Sequence, residues 1–207
     1  MTEYYTIAAP CEGSVTEKRS EFIAQLFPVK TAEEAAARIE EVKQKHHKAR
    51  HNVWAFRVRG DGAERYSDDG EPQGTGGIPV LSVLQKNELT DICCVVTRYF
   101  GGVLLGAPGL TRAYSSAAAE AVGAAQIRHF CEAHRVQLIT DYGMYGKVSY
   151  LLPDYGTVDA GSEFAENVIL RFDVKTDVFP RLEAALTELY NGKADLTVLE
   201  THFVDFK

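Results

Sequence analysis

Asp91 to Thr97 reads DICCVVT, five consecutive apolar side chains between polar ends. A strand that is apolar on both faces must be covered on both, so it belongs at the centre of a sheet with a layer on each side. Cys93 and Cys94 sit next to each other in this run and therefore point to opposite faces, as reduced buried residues. Together with Cys11 and Cys131 they show no C-x-x-C spacing, so neither a disulfide framework nor a zinc motif is expected.

Glycine crowds both sides of that strand. YSDDGEPQGTGGIPV comes before it and RYFGGVLLGAPGLTRAY after it, and Tyr66 to Tyr114 holds eight of the chain's 17 glycines. Glycine weakens regular structure and is justified where φ is positive or where something must approach the main chain closely. In the first motif it is interleaved with carboxylates. Asp68, Asp69 and Glu71 have the composition to hold a hard cation such as Mg2+, although the spacing is not that of an EF-hand. The plainer account is a turn that caps the next helix. Gly74 and Thr75 then offer free backbone amides ahead of that helix, an anion nest in outline.

The second motif joins glycines to arginines. Arg98 leaves the apolar strand, Gly101 and Gly102 follow, and Gly106 to Gly109 opens a helix that carries Arg112. A helix N-terminus, uncrowded amides and two guanidinium groups suit a phosphate or carboxylate. Alternatively the glycines permit a tight crossover and the arginines neutralise nearby acids. The motif is neither a Walker loop nor a dinucleotide fingerprint. No catalytic set is evident. His51 is the one histidine shortlisted beside these loops, and Ser115-Ser116 falls within a helix.

At 207 residues the chain has room for one large domain or two small ones. Hydrophobic content of 45% and charged content of 25% are ordinary for a packed globular protein. No run approaches the roughly 20 apolar residues of a membrane span, and no secretory leader opens the chain. A cytoplasmic protein without membrane attachment is expected. The net charge of -7 argues against indiscriminate nucleic-acid binding, but it is unevenly spread. Residues 131–207 hold 7 basic against 13 acidic side chains. From Val42 to Gly60 there are six basic residues (Lys43, Lys45, Lys48, Arg50, Arg57, Arg59), three histidines and no acid. That run is a solvated helix end and edge strand, or a face for anions.

In chain order, short strands with turns at Pro10 and Gly13 lead to a helix opened by a capping box at Thr31–Glu34. Ala35, Ile39 and Val42 form its buried face, with i,i+4 pairs at Glu34–Arg38 and Glu41–Lys45. Asn52 to Arg59 alternates as a half-buried strand, with Trp54, Phe56 and Val58 inward. Asp61-Gly62 turns the chain into a second strand that ends at Tyr66. A helix from Ile78 to Gln85 carries Pro79 in its first turn. Another runs from Gly109 to Ala125, with small residues for close packing. The composition changes near Ile127–His134, giving domains 1–132 and 133–207. The second reads strand 135–140, helix 142–152, strands 156–160 and 163–175, helix 177–191 and strand 195–206. This βαββαβ order is the ferredoxin-like split unit, read as a docking module.

With SDDGEP-x-GT-x-G-x-P and RYFGG-x-x-LG-x-x-GL-x-RAY both in view, the chain closely resembles the IMPACT family in its bacterial, YigZ-like form. The match runs from about Ser20 to Val122 and has His51 ahead of both motifs. Gly76 departs from it, standing where the family usually has alanine. The resemblance implies an α+β protein of two domains. Its first would have the left-handed βαβ fold of a ribosomal small-subunit protein's second domain and of the GHMP sugar kinases, against the usual hand. Its second would be similar to the last domain of elongation factor G. Eukaryotic relatives act in translational control through an additional N-terminal module that this chain lacks, so that role is not carried over. The expectation is a non-catalytic, translation-associated protein that binds RNA, the ribosome or another phosphate-bearing partner. No cofactor is required. The alternative is an enzyme or sensor for a small phosphorylated ligand, with Mg2+ on Asp68, Asp69 and Glu71, and Arg98, Arg112 and the loop amides on the phosphate.

Overall fold

The computed structural model describes residues 2–60 and 62–206. The chain forms two units, one of Tyr4–Arg128 and one of Met1–Glu3 with His129–Lys207. The elements of the first half are β1 (Glu3–Ile7), β2 (Cys11–Glu17), β3 (Ser20–Pro28), α1 (Ala32–Lys45), β4 (His51–Arg57), β5 (Glu64–Ser67), α2 (Gly77–Lys86), β6 (Ile92–Tyr99) and α3 (Gly106–Ala124).

The apolar run is β6, and it lies at the middle of a sheet ordered β2-β3-β6-β4-β5 in which every adjacent pair is antiparallel. Since β3 and β4 both oppose β6, they run parallel to each other, and α1 carries the chain across from one to the other. Both faces of the sheet are covered. On one, Phe27, Phe56, Cys93 and Val95 meet Ala35, Ile39 and Val42 of α1. On the other, Leu26, Val53, Ala55, Cys94 and Val96 meet Val80 and Leu84 of α2 and Tyr114, Ala117 and Ala121 of α3. Fully burying a leucine or isoleucine stabilises by about 1.5–3 kcal/mol, so these two stripes are what fasten the helices. The adjacent cysteines do point to opposite layers, and burial pushes the Cys93 thiol up to about 12.

Local signals hold in most places. Thr31 caps α1 by accepting from Glu34 N at 3.2 Å, while Glu34 Oε2 reaches one residue further back, to Lys30 N at 2.7 Å. Arg38 pairs with Glu41, three residues on, rather than with Glu34, whose carboxylate is already engaged. Pro79 sits in the first turn of α2.

Three expectations are corrected. β4 is buried on both faces, with Val53 and Ala55 beneath α2 and α3, because it adjoins the central strand. Gly13 is not a turn but lies inside β2, where a Cβ would fall 2.4 Å from Ala121 N, so α3 packs its backbone directly on the strand. α3 starts at Gly106, nearly a turn before Gly109. Of the expected Asp61-Gly62 turn, Asp61 lies outside the described residues.

The second half contains β7 (Ile127–Thr140), α4 (Tyr142–Leu151), a 3-10 turn (Leu152–Tyr155), β8 (Val158–Phe164), β9 (Val168–Lys175), α5 (Phe179–Leu189) and β10 (Asp195–Asp205). Its strands lie in the order β10-β7-β9-β8, again antiparallel, which is the arrangement of a split βαβ unit. Val136, Leu138, Leu170 and Phe172 from the strands pack on Val148 of α4 and on Leu182 and Leu186 of α5. β8 runs on to Phe164, past the break expected near Gly161, because a bulge between Asp159 and Gly161 absorbs the irregularity. The protein is thus α+β with two antiparallel sheets. Among the described residues no helix is long and apolar enough to cross a membrane.

Candidate functional site at the end of the central strand

β6 ends at Tyr99, and residues from both glycine motifs gather around that end. Register places Phe22 of β3 and His51 of β4 on either side of Arg98. The Arg98 guanidinium turns inward. Its Nη1 donates to Glu71 Oε1 at 2.7 Å, and the Tyr114 hydroxyl of α3 donates to the same oxygen at 2.8 Å. The side chains of Arg98 and Glu71 are only 7% and 4% exposed. The Arg98 guanidinium carbon also lies 5.5 Å from the ring centres of Phe22 and of Phe100. Burial, reinforced by the Glu71 carboxylate, pushes the Tyr114 phenol well up, so it remains a donor.

The other two carboxylates of the first motif are engaged just as fully. Asp68 Oδ1 accepts from Gly76 N at 2.9 Å and Gly77 N at 2.8 Å, and its Oδ2 accepts from Gly74 N at 2.8 Å. The amides ahead of α2 therefore do cradle an anion, and it is the chain's own. Burial alone would raise the Asp68 carboxyl, but the amides of Gly74, Gly77 and Gly76 together leave it below the ordinary aspartate value. Thr75 turns its hydroxyl onto Pro72 O. Asp69 accepts from Lys43 Nζ at 2.8 Å and Asn52 N at 2.7 Å. A cation site needs these three carboxylates to converge. Instead they point to three separate sets of donors, and they do not form a ligand cluster among the described residues.

His51 Nδ1 lies 2.9 Å from Asp69 O. A carbonyl only accepts, so Nδ1 carries the hydrogen and Nε2 is left with no partner among the described residues.

The protein's own close packing explains several glycines. A Cβ on Gly101 would fall 2.0 Å from the Arg19 carbonyl, one on Gly76 2.8 Å from Val53, and one on Gly77 2.9 Å from Ser67 C. Gly102 and Gly106, with φ of +83° and +70°, face open space and are needed for their backbone conformation. Gly109 fits against Leu105 in the first turn of α3.

Arg112 stands apart from this network. It is exposed on α3, two residues before the fully buried Tyr114. At about 100° per residue the two side chains lie on opposite sides of the helix. The two arginines therefore do not close on one anion. Sequence reasoning missed Lys43, Asn52 and Tyr114 as partners, and it missed the exposed side chains of Phe100 (54%) and Leu104 (83%). Tyr114 was the one most open to anticipation from the sequence, since it ends the second motif.

The whole network, from Lys43 to Tyr114, falls inside the segment 18–122 that matches the family model described as the Impact N-terminal domain. That segment is half of the chain. The chain belongs to the IMPACT family. A second model, described as a domain of unknown function (DUF1949), matches residues 138–193. The IMPACT family member YvyE of Bacillus subtilis is 34% identical over 206 residues, covering 99% of this chain and 95% of that protein. The family member YigZ of Escherichia coli is 30% identical over 203 residues, with 97% and 100% covered. A crystal structure of a hypothetical protein superimposes with a TM-score of 0.62 at 30% identity, over 97% of this chain and 98% of that one. These two bacterial relatives align with both halves of the chain.

Proposed function

We propose that this IMPACT-family chain is a non-catalytic, translation-associated binding protein that recognises single-stranded RNA across the end of β6. One observation carries the reading, the pairing of exposed cations with exposed apolar side chains at that end. Of the basic run between Val42 and Gly60, Lys43, Arg57 and Arg59 are held by Asp69, Glu64 and Asp91. Lys45, Lys48 and Arg50 are exposed and make no ion pair among the described residues. His46 Nδ1 lies 2.9 Å from the Tyr99 hydroxyl, which brings the end of α1 to the end of β6. On the other side, the Lys18-Arg19 hairpin packs against Gly101. Phe100 and Leu104, which follow β6 in the chain, face solvent. Glu17 and Glu21 are also exposed there, so cations outnumber acids without excluding them. Interleaved cations and exposed aromatic surface suit a phosphate backbone and stacked bases.

The test is fluorescence anisotropy of a short labelled RNA across a salt series. Binding should be measurable at low salt and should weaken steeply as salt rises, with a log–log slope of about 0.7 per phosphate contact. Lys45→Ala, Lys48→Ala and Arg50→Ala combined should flatten that slope by about 2. Phe100→Ala should cost about 1–3 kcal/mol of affinity with the slope unchanged. Absence of binding at low salt, or a triple variant with unaltered slope, defeats the reading.

A further inference from the structure

We infer that Glu3, His129 and Cys131 form a metal site in the second unit, suited to Zn2+ or a similar borderline-soft divalent ion. Among the described residues this is the one cluster of three such side chains whose ligand atoms all lie within 4.8 Å of one another. His129 and Cys131 are two apart on β7, so their side chains share a face of the strand. His129 Nε2 is 3.6 Å from Cys131 Sγ and 2.8 Å from Glu3 Oε2.

The chemistry matches the ion. A thiolate, an imidazole and a carboxylate are the three ligand types that zinc takes. With Zn–S of about 2.3 Å and Zn–N of about 2.0–2.1 Å at a tetrahedral angle, sulfur and nitrogen should stand about 3.5 Å apart. The observed 3.6 Å already has that spacing. The carboxylate has to open by about half an ångström from its contact with His129, and the exposed Glu3 side chain is free to swing that far. The thiol is buried, which removes competition from water at the sulfur. Binding would release the Cys131 proton, because the thiolate and not the thiol is the ligand.

The fourth position has somewhere to open. Glu3 and Cys131 line a cavity of about 170 Å3 whose other walls are Thr2, Glu132, Lys175, Thr176 and Asp177. Three protein ligands with the fourth place open to water is the arrangement of a reactive zinc site, whereas structural sites close with four protein ligands. The proposal assigns binding only. It is independent of the RNA reading, because the two rest on different residues.

Cobalt substitution tests it with the full chain. Reduced protein titrated with Co2+ at neutral pH should take up one ion and show the near-ultraviolet sulfur-to-cobalt charge-transfer band. Cys131→Ser should lose the band, and Glu3→Gln, an exposed substitution that leaves the fold intact, should weaken binding about 10-fold or more. Zn2+ should displace the cobalt and raise the Tm of the wild type but not of Cys131→Ser. If the wild type shows no band, or if the band survives Cys131→Ser, the site does not exist as described. Glu3→Gln binding at wild-type affinity would remove the carboxylate from the ligand set and overturn the three-ligand assignment.

Discussion

The two glycine motifs look alike in sequence and end in opposite conditions. The first, Ser67 to Gly77, turns its carboxylates inward. Asp68 lies on three amides, Asp69 on Lys43 and Asn52, and Glu71 on Arg98 and Tyr114. The second, Arg98 to Tyr114, gives its two ends to that network but keeps Phe100, Val103 and Leu104 of its middle in solvent. A dense polar motif is therefore not by itself a binding site. The polar loop is the scaffold, and the apolar loop beside it is what remains for a partner.

Substitutions should separate the two loops by stability. The largest effect is expected at the buried pair. Arg98→Met leaves Glu71 without its cation and should cost about 3–5 kcal/mol, read as a shifted urea midpoint. Glu71→Gln should lose less, since the amide oxygen can still accept from Arg98 and Tyr114. Next comes Gly101→Ala, whose methyl group meets the Arg19 carbonyl. Overpacking there should cost about 1–3 kcal/mol.

Asp68 follows, with a signature in pH. Its folded carboxyl titrates below the ordinary aspartate value of about 3.9, so its contribution is complete above that value and is lost as the pH falls through the depressed one. Asp68→Asn should flatten the acid limb of the stability profile and cost about 1–3 kcal/mol at neutral pH. The smallest effect belongs to the second loop. Leu104→Ser should change stability by no more than about 0.5 kcal/mol while reducing RNA affinity. A Leu104→Ser protein that unfolds as readily as Arg98→Met would erase the distinction between the loops.

Much of the fold was legible in local patterns. The apolar run of β6, the Thr31 cap, the stripe of Ala35, Ile39 and Val42, and the βαββαβ order each depend on neighbours in sequence. What was not legible depends on partners brought together by folding. Glu71 finds Arg98 27 residues away and Tyr114 43 residues away. Glu3 meets His129 across 126 residues. The double burial of β4 reflects its place beside the centre, and Gly13 is explained only when the backbone of α3 is set upon it. Asp68 shows the limit most clearly. Its identity suggests an outward-facing ligand, while three glycine amides 6, 8 and 9 residues after it fold back to bind it.

The sheet order has a consequence for biosynthesis. The strand at the centre of the first sheet is its last to be made, and β3 and β4 each need it as a neighbour. At about 5–20 residues per second, roughly 4–16 s separate the synthesis of Ser20 from that of Tyr99. Throughout that interval β3 and β4 have no partner between them, and their apolar faces await cover. The nascent chain can build the β2–β3 hairpin and begin α1, but it cannot close the sheet until the DICCVVT segment has left the exit tunnel. Truncations that stop short of Tyr99 should therefore bind holding chaperones, and those that extend through Ala124, the end of α3, should be released from them.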